Sequence, residues 1–494
     1  MSHPLAVPRA VFRSGAALAA ALALLAGCAS MGEQRPKAAL RDGAALPAAA
    51  SIAALETRNA AWPAQDWWQA YGDAQLDRLV ERARADSPTV AAALARVRQA
   101  AALEGIAASA LSPQASLAAR SARQHFSENS NIPKPLAGSW KWFNDASVGL
   151  SYELDFWDKN KSAVRAAAGR VNAQEAEAQA ATLALSVALV QAYLRLDQLH
   201  VQRDLAETAL RQRERMRDLV AQRVQAQLDP RADLKQAEIA VPQARGQLAA
   251  LDEAIALTRG QLAALAGQGP DAAAAIERPR IALRRAPGVP ADLPAALLGR
   301  RPDLVALRWR VEAASGDIDV ARALFYPSVN LSALVGLQSL GFDRLLESGS
   351  RSLAIGPAVT LPLFDGGRLR SNLAGRHADY DLAVEQYNGA VVEALRDVVA
   401  QLTSLHWLQT RLREQDAALD AAEQAWQLAD QRYRAGLGNF LQVLVAENQV
   451  VAERSKRADL AARANELDVN LVRALGGGYA AAPGTPLAAA ASAQ

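Results

Sequence analysis

The stretch Leu183-Ala184-Leu185-Ser186-Val187-Ala188-Leu189-Val190-Gln191-Ala192-Tyr193-Leu194 lies inside a proline-free run from Asp158 to Asp229. Its residues Leu183, Val187, Val190 and Leu194 recur at intervals of four, three and four. That is the stripe of a long helix packed against other helices. Pro230 breaks the run, and a second stripe follows at Leu248, Leu251, Ile255, Thr258, Leu262 and Leu265. The first helix is expected to span about 70 residues, or about 105 Å at 1.5 Å per residue. Isolated helices of this kind are not self-sufficient, so the stripe must be buried against other long helices.

The stretch occurs twice. Gln222-Arg223-Val224 through Leu228 aligns with Gln431-Arg432-Tyr433 through Leu437, an offset of 209, and Glu238 aligns with Glu447 at the same offset. Leu265-Ala266-Gly267 aligns with Leu475-Gly476-Gly477, an offset of 210. Upstream, Pro88 and Pro113 match Pro302 and Pro327 at an offset of 214. The chain therefore reads as two structural repeats, 61–267 and 301–477, with helical hairpins at 158–267 and 368–477. Residues 268–300, rich in proline, glycine and alanine, read as a linker between the copies, with an added strand expected around Ile281-Ala282-Leu283. The tail 478–494 has the low complexity of a disordered segment.

The N-terminus reads as a targeting segment. Arg9 and Arg13 precede an apolar stretch from Ala16 to Ala26 that is short for a membrane span. It ends in Leu25-Ala26-Gly27-Cys28, which resembles the lipobox of bacterial lipoproteins. That resemblance implies a signal peptide over 1–27, cleavage before Cys28, a diacylglycerol on its sulfur and an acyl group on its amine. Ala29 follows, so the aspartate signal for inner-membrane retention is absent and the outer membrane is the expected destination. Cys28 is the one cysteine, so no internal disulfide is expected. Residues 28–60 read as a lipidated tether. The net charge of +3 falls to about +1 when Arg9 and Arg13 leave, which offers no basic field for nucleic acid.

Folded structure is expected to begin at Trp62, Trp67, Trp68 and Tyr71, read as a packing cluster. A short helix follows over Leu76–Arg84, then another from Pro88, with Ser87 as its cap. After Pro113 the period changes from helical to twofold. From Ala146 the chain alternates: Val148, Leu150, Tyr152, Leu154 and Phe156 interleave with Ser147, Gly149, Ser151, Glu153 and Asp155. Residues 328–340 and 353–364 alternate similarly. Residues 114–126 do so weakly and are included because the repeat requires a partner for 140–157. Strands of this length with one apolar face fit a membrane barrel. Trp140, Trp142, Phe143, Phe156 and Trp157 bracket one of them as an interfacial aromatic girdle would. Pro357 and Pro362 count against the last strand. Four strands cannot close a barrel, for which about eight are needed. Two chains would supply eight and three would supply twelve, and the pattern itself does not choose.

Several motifs resemble the TolC/OprM outer-membrane efflux family, in its NodT-type lipoprotein branch serving resistance-nodulation-division (RND) pumps. They are Ser151-Tyr152-Glu153-Leu154-Asp155-Phe156-Trp157, Leu298-Gly299-Arg300-Arg301-Pro302-Asp303-Leu304, Ala323-Leu324-Phe325-Tyr326-Pro327-Ser328, Leu363-Phe364-Asp365-Gly366-Gly367 and Gln431-Arg432-Tyr433-Arg434-Ala435-Gly436, together with the lipobox. The resemblance covers about residues 60–477. It implies a mainly α fold with membrane β: a homotrimer with a twelve-stranded outer-membrane β-barrel continued by a long periplasmic α-helical barrel. It implies an exit duct for drugs or other small toxic compounds. The implied partners are a periplasmic adaptor (membrane fusion protein), an RND inner-membrane pump and outer-membrane lipid. A periplasmic gate is implied at Asp233, Tyr433, Arg434 and Leu441. On that reading Asp233→Ala raises leakage. Val445 stands where the family often has an aspartate, so an apolar constriction is expected there rather than an acidic ring.

Nothing points to catalysis, a cofactor or a metal site. The five histidines are scattered, and there is no His-Glu-x-x-His and no phosphate-binding glycine loop. Two other readings share parts of the pattern. One is an exit channel for type I protein secretion or metal-ion efflux. The other is a structural coiled-coil or adaptor lipoprotein, which would lack the four two-faced strands.

Overall fold

The computed structural model describes residues 31, 35–41, 60–129, 131–282, 290, 293 and 297–481. The signal peptide, Cys28, most of the tether, Leu283 and residues 482–494 lie outside the described residues. In chain order, α1 spans Ala74–Asp86 and α2 spans Pro88–Ser109. Strands β1 (Gln114–His125) and β2 (Trp140–Leu154) follow, then α3 (Lys159–Gln225) and α4 (Arg231–Leu265). The one-turn α5 (Leu297–Arg300) precedes α6 (Pro302–Ala323), β3 (Ser328–Leu340) and β4 (Arg351–Thr360). The chain ends in α7 (Arg368–Arg434) and α8 (Phe440–Ala474).

For three helices of each copy the repeat is exact in length. The helices α2 and α6 each have 22 residues, α3 and α7 each have 67, and α4 and α8 each have 35. A helix of 67 residues is about 100 Å long. Helix α4 runs through Pro242, whose missing N–H costs one intrahelical bond without ending the helix. Ile281 and Ala282 form no strand, although the Ala282 N–H donates to the Tyr71 carbonyl at 2.9 Å.

By contact density the chain divides into two units. The first holds the described residues up to Leu40, with Arg98–Ala173 and Leu307–Tyr387. Its four strands form one antiparallel sheet in the order β1-β2-β3-β4, leaving β1 and β4 as edges. Strand β4 ends at Thr360, so Pro362 lies beyond it, and Pro357 sits on an edge strand, where proline is tolerated. In the same unit α3 and α6 approach closely through small residues. A Cβ on Gly316 would meet the Ala166 methyl at 3.0 Å, and one on Gly169 would meet that of Ala313 at 3.2 Å. Ion pairs Arg170–Asp317 and Arg165–Asp319 flank this contact.

The second unit holds Arg41–Val97, Gln174–Ala306 and the chain from Asn388. Its core gathers Trp67, Trp68, Tyr71, Leu76, Tyr193 and Leu262, so three of the four expected aromatics are packing, while Trp62 is half-buried under the Arg300 guanidinium. Two pairs of buried polar groups stand out. The Tyr193 hydroxyl donates to Asp73 at 2.6 Å, and Asp73 also caps α1 through the Gln75 N–H. The Tyr71 hydroxyl donates to the buried Asp468 at 2.8 Å.

Candidate functional site

Two places bear on the expected function. One is the sheet and the other is the pair of hairpin turns.

The register lines up the faces of all four strands. Leu117, Val148, Val335 and Leu353 are directly opposed across the sheet, as are Ala115, Leu150, Ala333 and Ile355. Further along, Leu154, Val329 and Val359 share the same face. The opposite face carries Gln114, Ser151, Ser332 and Gly356 in one row, and Ala118, Ser147, Gly336 and Ser352 in another. The apolar residues are bare: Leu117 is 76% exposed, Leu353 75% and Ile355 82%. A soluble sheet would cover such a face, whereas a membrane barrel turns it to lipid.

Aromatic residues stand at both ends of that face. Trp157 stacks on Tyr326 with ring centroids 4.6 Å apart, and its indole N–H donates to the Pro327 carbonyl at 2.9 Å. Phe156 beside it is exposed. At the other end Trp142 lies against Phe342 and Trp140 against His125, and both tryptophans are exposed. Phe143 departs from the expected girdle. Strand alternation sets it opposite Ala122 and Leu340, on the face of Asp145 and Ser147, and it is half-buried.

Each sheet-to-helix junction turns on a carboxylate. Asp155 accepts the N–H groups of Asn160 and Lys161 at the start of α3. Asp365 accepts those of Gly367 and Leu369 at the start of α7. The chain passes through the left-handed region at Asp158 (φ 54°) in one copy and at Gly366 and Gly367 in the other.

The turns at the far ends of the long helices share one backbone design. The Leu228 N–H donates to the Arg223 carbonyl, and the Gln227 N–H to that of Val224. Likewise the Leu437 N–H donates to the Arg432 carbonyl, and the Gly436 N–H to that of Tyr433. This is the six-to-one, five-to-two closure that ends a helix on a left-handed residue. That residue is Gln227 (φ 56°) in the first copy and Gly436 (φ 74°) in the second.

A polar contact joins the two turns. The Tyr433 hydroxyl donates to Asp229 Oδ2 at 2.5 Å, and Arg223 grips the same carboxylate with Nε at 2.9 Å and Nη2 at 3.1 Å. The Arg223 guanidinium also lies over the Tyr433 ring, 4.6 Å from its centroid. Tyr433 is fully buried beside Phe440, Met216 and Val220. The hydrogen bond from Arg223 holds the Asp229 carboxyl below the usual range against burial, with that from Tyr433 adding to it. Burial, then the bond to Asp229, pushes the Tyr433 phenol well above its ordinary value.

The acid that Tyr433 reaches is therefore Asp229 and not Asp233, which lies in the first turn of α4. Burial and the neighbouring Asp229 raise the Asp233 carboxyl. Arg434 pairs within its own helix, with Asp430 at 2.7 Å, and spans no gap between hairpins. Leu441 and Val445 are 52% and 62% exposed and line one apolar groove with Ala422, Ala425 and Ala446. Sequence reasoning missed Asp229 and Arg223. The signal was present: at the 209-residue offset Asp229 falls opposite Gly438, a charged residue where the other copy has none. Glu447 was also missed. It is buried with Oε1 unpartnered, and burial raises its carboxyl while Arg213 opposes the shift.

The profile of the Outer membrane efflux protein family matches residues 79–268 and 293–477, one segment per repeat. The chain is 43% identical over 358 residues to the Burkholderia cepacia fusaric acid resistance protein FusA, covering 72% of this chain and 67% of that protein. It is 33% identical over 445 residues to the Shigella flexneri multidrug resistance outer membrane protein MdtP, covering 87% and 89%. Among solved structures, the outer membrane protein VceC of Vibrio cholerae superposes with a TM-score of 0.80 at 39% identity, covering 84% of this chain and all (100%) of that one. The outer-membrane channel OprN superposes with a TM-score of 0.80 at 25% identity, covering 91% and 99%. With both repeats matched, a bare apolar sheet face and paired long hairpins, the chain belongs to the outer membrane efflux protein family and is an outer-membrane exit duct of an efflux pump.

Proposed function

We propose that three copies of this chain share one twelve-stranded barrel, each anchored by acyl chains on Cys28. The helices of each copy then continue the barrel as a periplasmic tunnel. The duct serves an RND-type pump through a periplasmic adaptor and passes drugs or other small toxic compounds. The observation that carries this reading is the four-stranded sheet with two open edges and one bare apolar face. An open edge is not tolerated in lipid, so β1 of one copy pairs with β4 of the next. Fusaric acid resistance and multidrug resistance in the names of relatives support small toxic compounds as the cargo.

The start of the chain supports the anchor. Met31 packs against the buried cluster that holds Phe325, Leu369 and Leu373, at the junction where β4 passes into α7. The Lys37 and Ala38 N–H groups then donate to Asp381, further along α7. Only Ala29 and Ser30 stand between Met31 and Cys28 in the sequence, which suits an anchor near that junction. This is the level at which Phe156 and Trp157 meet the headgroups.

The turn contact supports a gate. The Tyr433 hydroxyl ties the second hairpin to the first by a charge-assisted hydrogen bond to Asp229, which Arg223 of the first hairpin holds in place while lying over the Tyr433 ring. Such a tie is strong enough to hold a tip closed and weak enough for a docked partner to replace.

Native mass spectrometry of the detergent-solubilised protein tests assembly and anchor together. The expected mass is three chains, each beginning at Cys28 and carrying acyl groups. A monomer, or a chain that keeps residues 1–27, would overturn the corresponding part.

A further inference from the structure

The strand register also sorts charge by face. Within β1 to β4 the apolar face carries two charged side chains, Arg123 on β1 and Arg351 on β4. It carries no carboxylate. The acids of the strands, Asp145 and Glu153, lie on the opposite face, as do Arg120 and Lys141.

Both arginines sit toward the hairpin ends of their strands. Arg123 is opposite Trp142, and its guanidinium lies 5.9 Å from the Trp140 ring centroid. Arg351 is the first residue of β4, opposite Leu337. Both are exposed, and neither takes part in an ion pair among the described residues. An arginine facing lipid is costly at mid-bilayer and nearly free at the interface, where a phosphate can take its planar fork. The opposite, helix-proximal end of the same face has Trp157, Tyr326 and Phe156 but no such cations among its strand residues.

Their strands matter as much as their level. Arg123 and Arg351 lie on the two edge strands. Closing the barrel edge to edge brings the β1 edge of one copy beside the β4 edge of the next. Two cations then face the same seam with no acid on that face to offset them. We propose that this seam binds a lipid with a phosphorylated headgroup in the leaflet at the hairpin end, with Arg123 and Arg351 as its phosphate ligands and Leu353 and Val335 against its acyl chains. This rests on the shared-barrel reading.

The test uses the full-length protein in detergent, with native mass spectrometry as the readout. The probes are bis-phosphorylated lipid A and the same lipid stripped of its phosphates. The wild-type trimer is expected to retain lipid A and not the stripped lipid. Arg123→Gln and Arg351→Gln should each lower retention about fivefold, the double variant should lose it further, and Arg120→Gln on the other face should leave it unchanged. A double variant that retains lipid A as the wild type does, or equal retention of the stripped lipid, overturns the proposal. The same spectra separate the two levels of failure. A trimer whose lipid retention ignores the arginines sinks this inference alone, whereas a wild-type monomer sinks the shared barrel with it.

Discussion

The long helices α3 and α7 have matching lengths but unlike ends. At the strand end the two copies use one device: a carboxylate, Asp155 or Asp365, receives the first free N–H groups of the helix. At the turn end the backbones again match bond for bond, and the side chains do not. The first copy supplies Arg223 and Asp229, the second supplies Tyr433, and the three meet. Symmetry at the strand end fits a part that stays put. Asymmetry at the turn end makes a contact between hairpins, which can be broken without unfolding either one.

The largest effect is expected at the turn end. Asp229→Ala removes the acceptor of the Tyr433 hydroxyl, a loss of about 2 kcal/mol for the one charge-assisted bond that crosses between the turns, or about thirtyfold in the balance between tied and untied tips. Single-channel conductance or open probability should rise while the oligomer stays intact. Asp233→Ala should do much less, because Tyr433 does not reach it; equal effects from both would break the distinction. The pH dependence has a definite sign. Asp229 is held below its ordinary value, so the contact is complete above the unfolded carboxylate value of about 3.9 and is lost as pH falls through the lower folded value. Conductance between pH 5 and 8 should therefore not move through this contact.

At the strand end, Asp155→Ala and Asp365→Ala should each cost about 1 kcal/mol in thermal stability, by nearly equal amounts, with conductance unchanged. Unequal costs would show that the two junctions are not equivalent. Gln227→Gly relieves a left-handed residue that its counterpart Gly436 carries freely, and should raise the melting temperature by a stability gain of up to about 1 kcal/mol. A loss instead would mean that the Gln227 side chain contributes to the turn. The smallest effect is expected from Arg434→Ala. Its pair with Asp430 is within one helix and largely exposed on the arginine side, so under about 0.5 kcal/mol is at stake and conductance should not change.

Most of the framework was legible because it is periodic. The helix stripes, the absence of proline over α3 and α7, and the offset between copies fixed the repeat to within a few residues. Strand β1 was hard to read because Ala115, Ala118, Ala119 and Ala122 put alanine on both faces, and its role appears only in its pairing with β2. Phe143 was misplaced because composition groups it with Trp140 and Trp142, whereas alternation puts it on the other face. The trio Asp229, Arg223 and Tyr433 was less legible for a different reason. Tyr433 could be picked out within its own hairpin, but its partner acid depends on how two turns 204 residues apart meet. Asp229 lies in the turn before α4 and Asp233 in its first helical turn, and a separation of four residues does not say which of them faces the other hairpin.

The central claim is that copies of this chain share one barrel and conduct through it. Planar-bilayer conductance of the purified protein tests it most directly, with oligomer mass read from the same preparation and Asp229→Ala measured beside the wild type. The account predicts a trimer with discrete openings that are more frequent or larger in the variant. A stable monomer that conducts in neither form would contradict it.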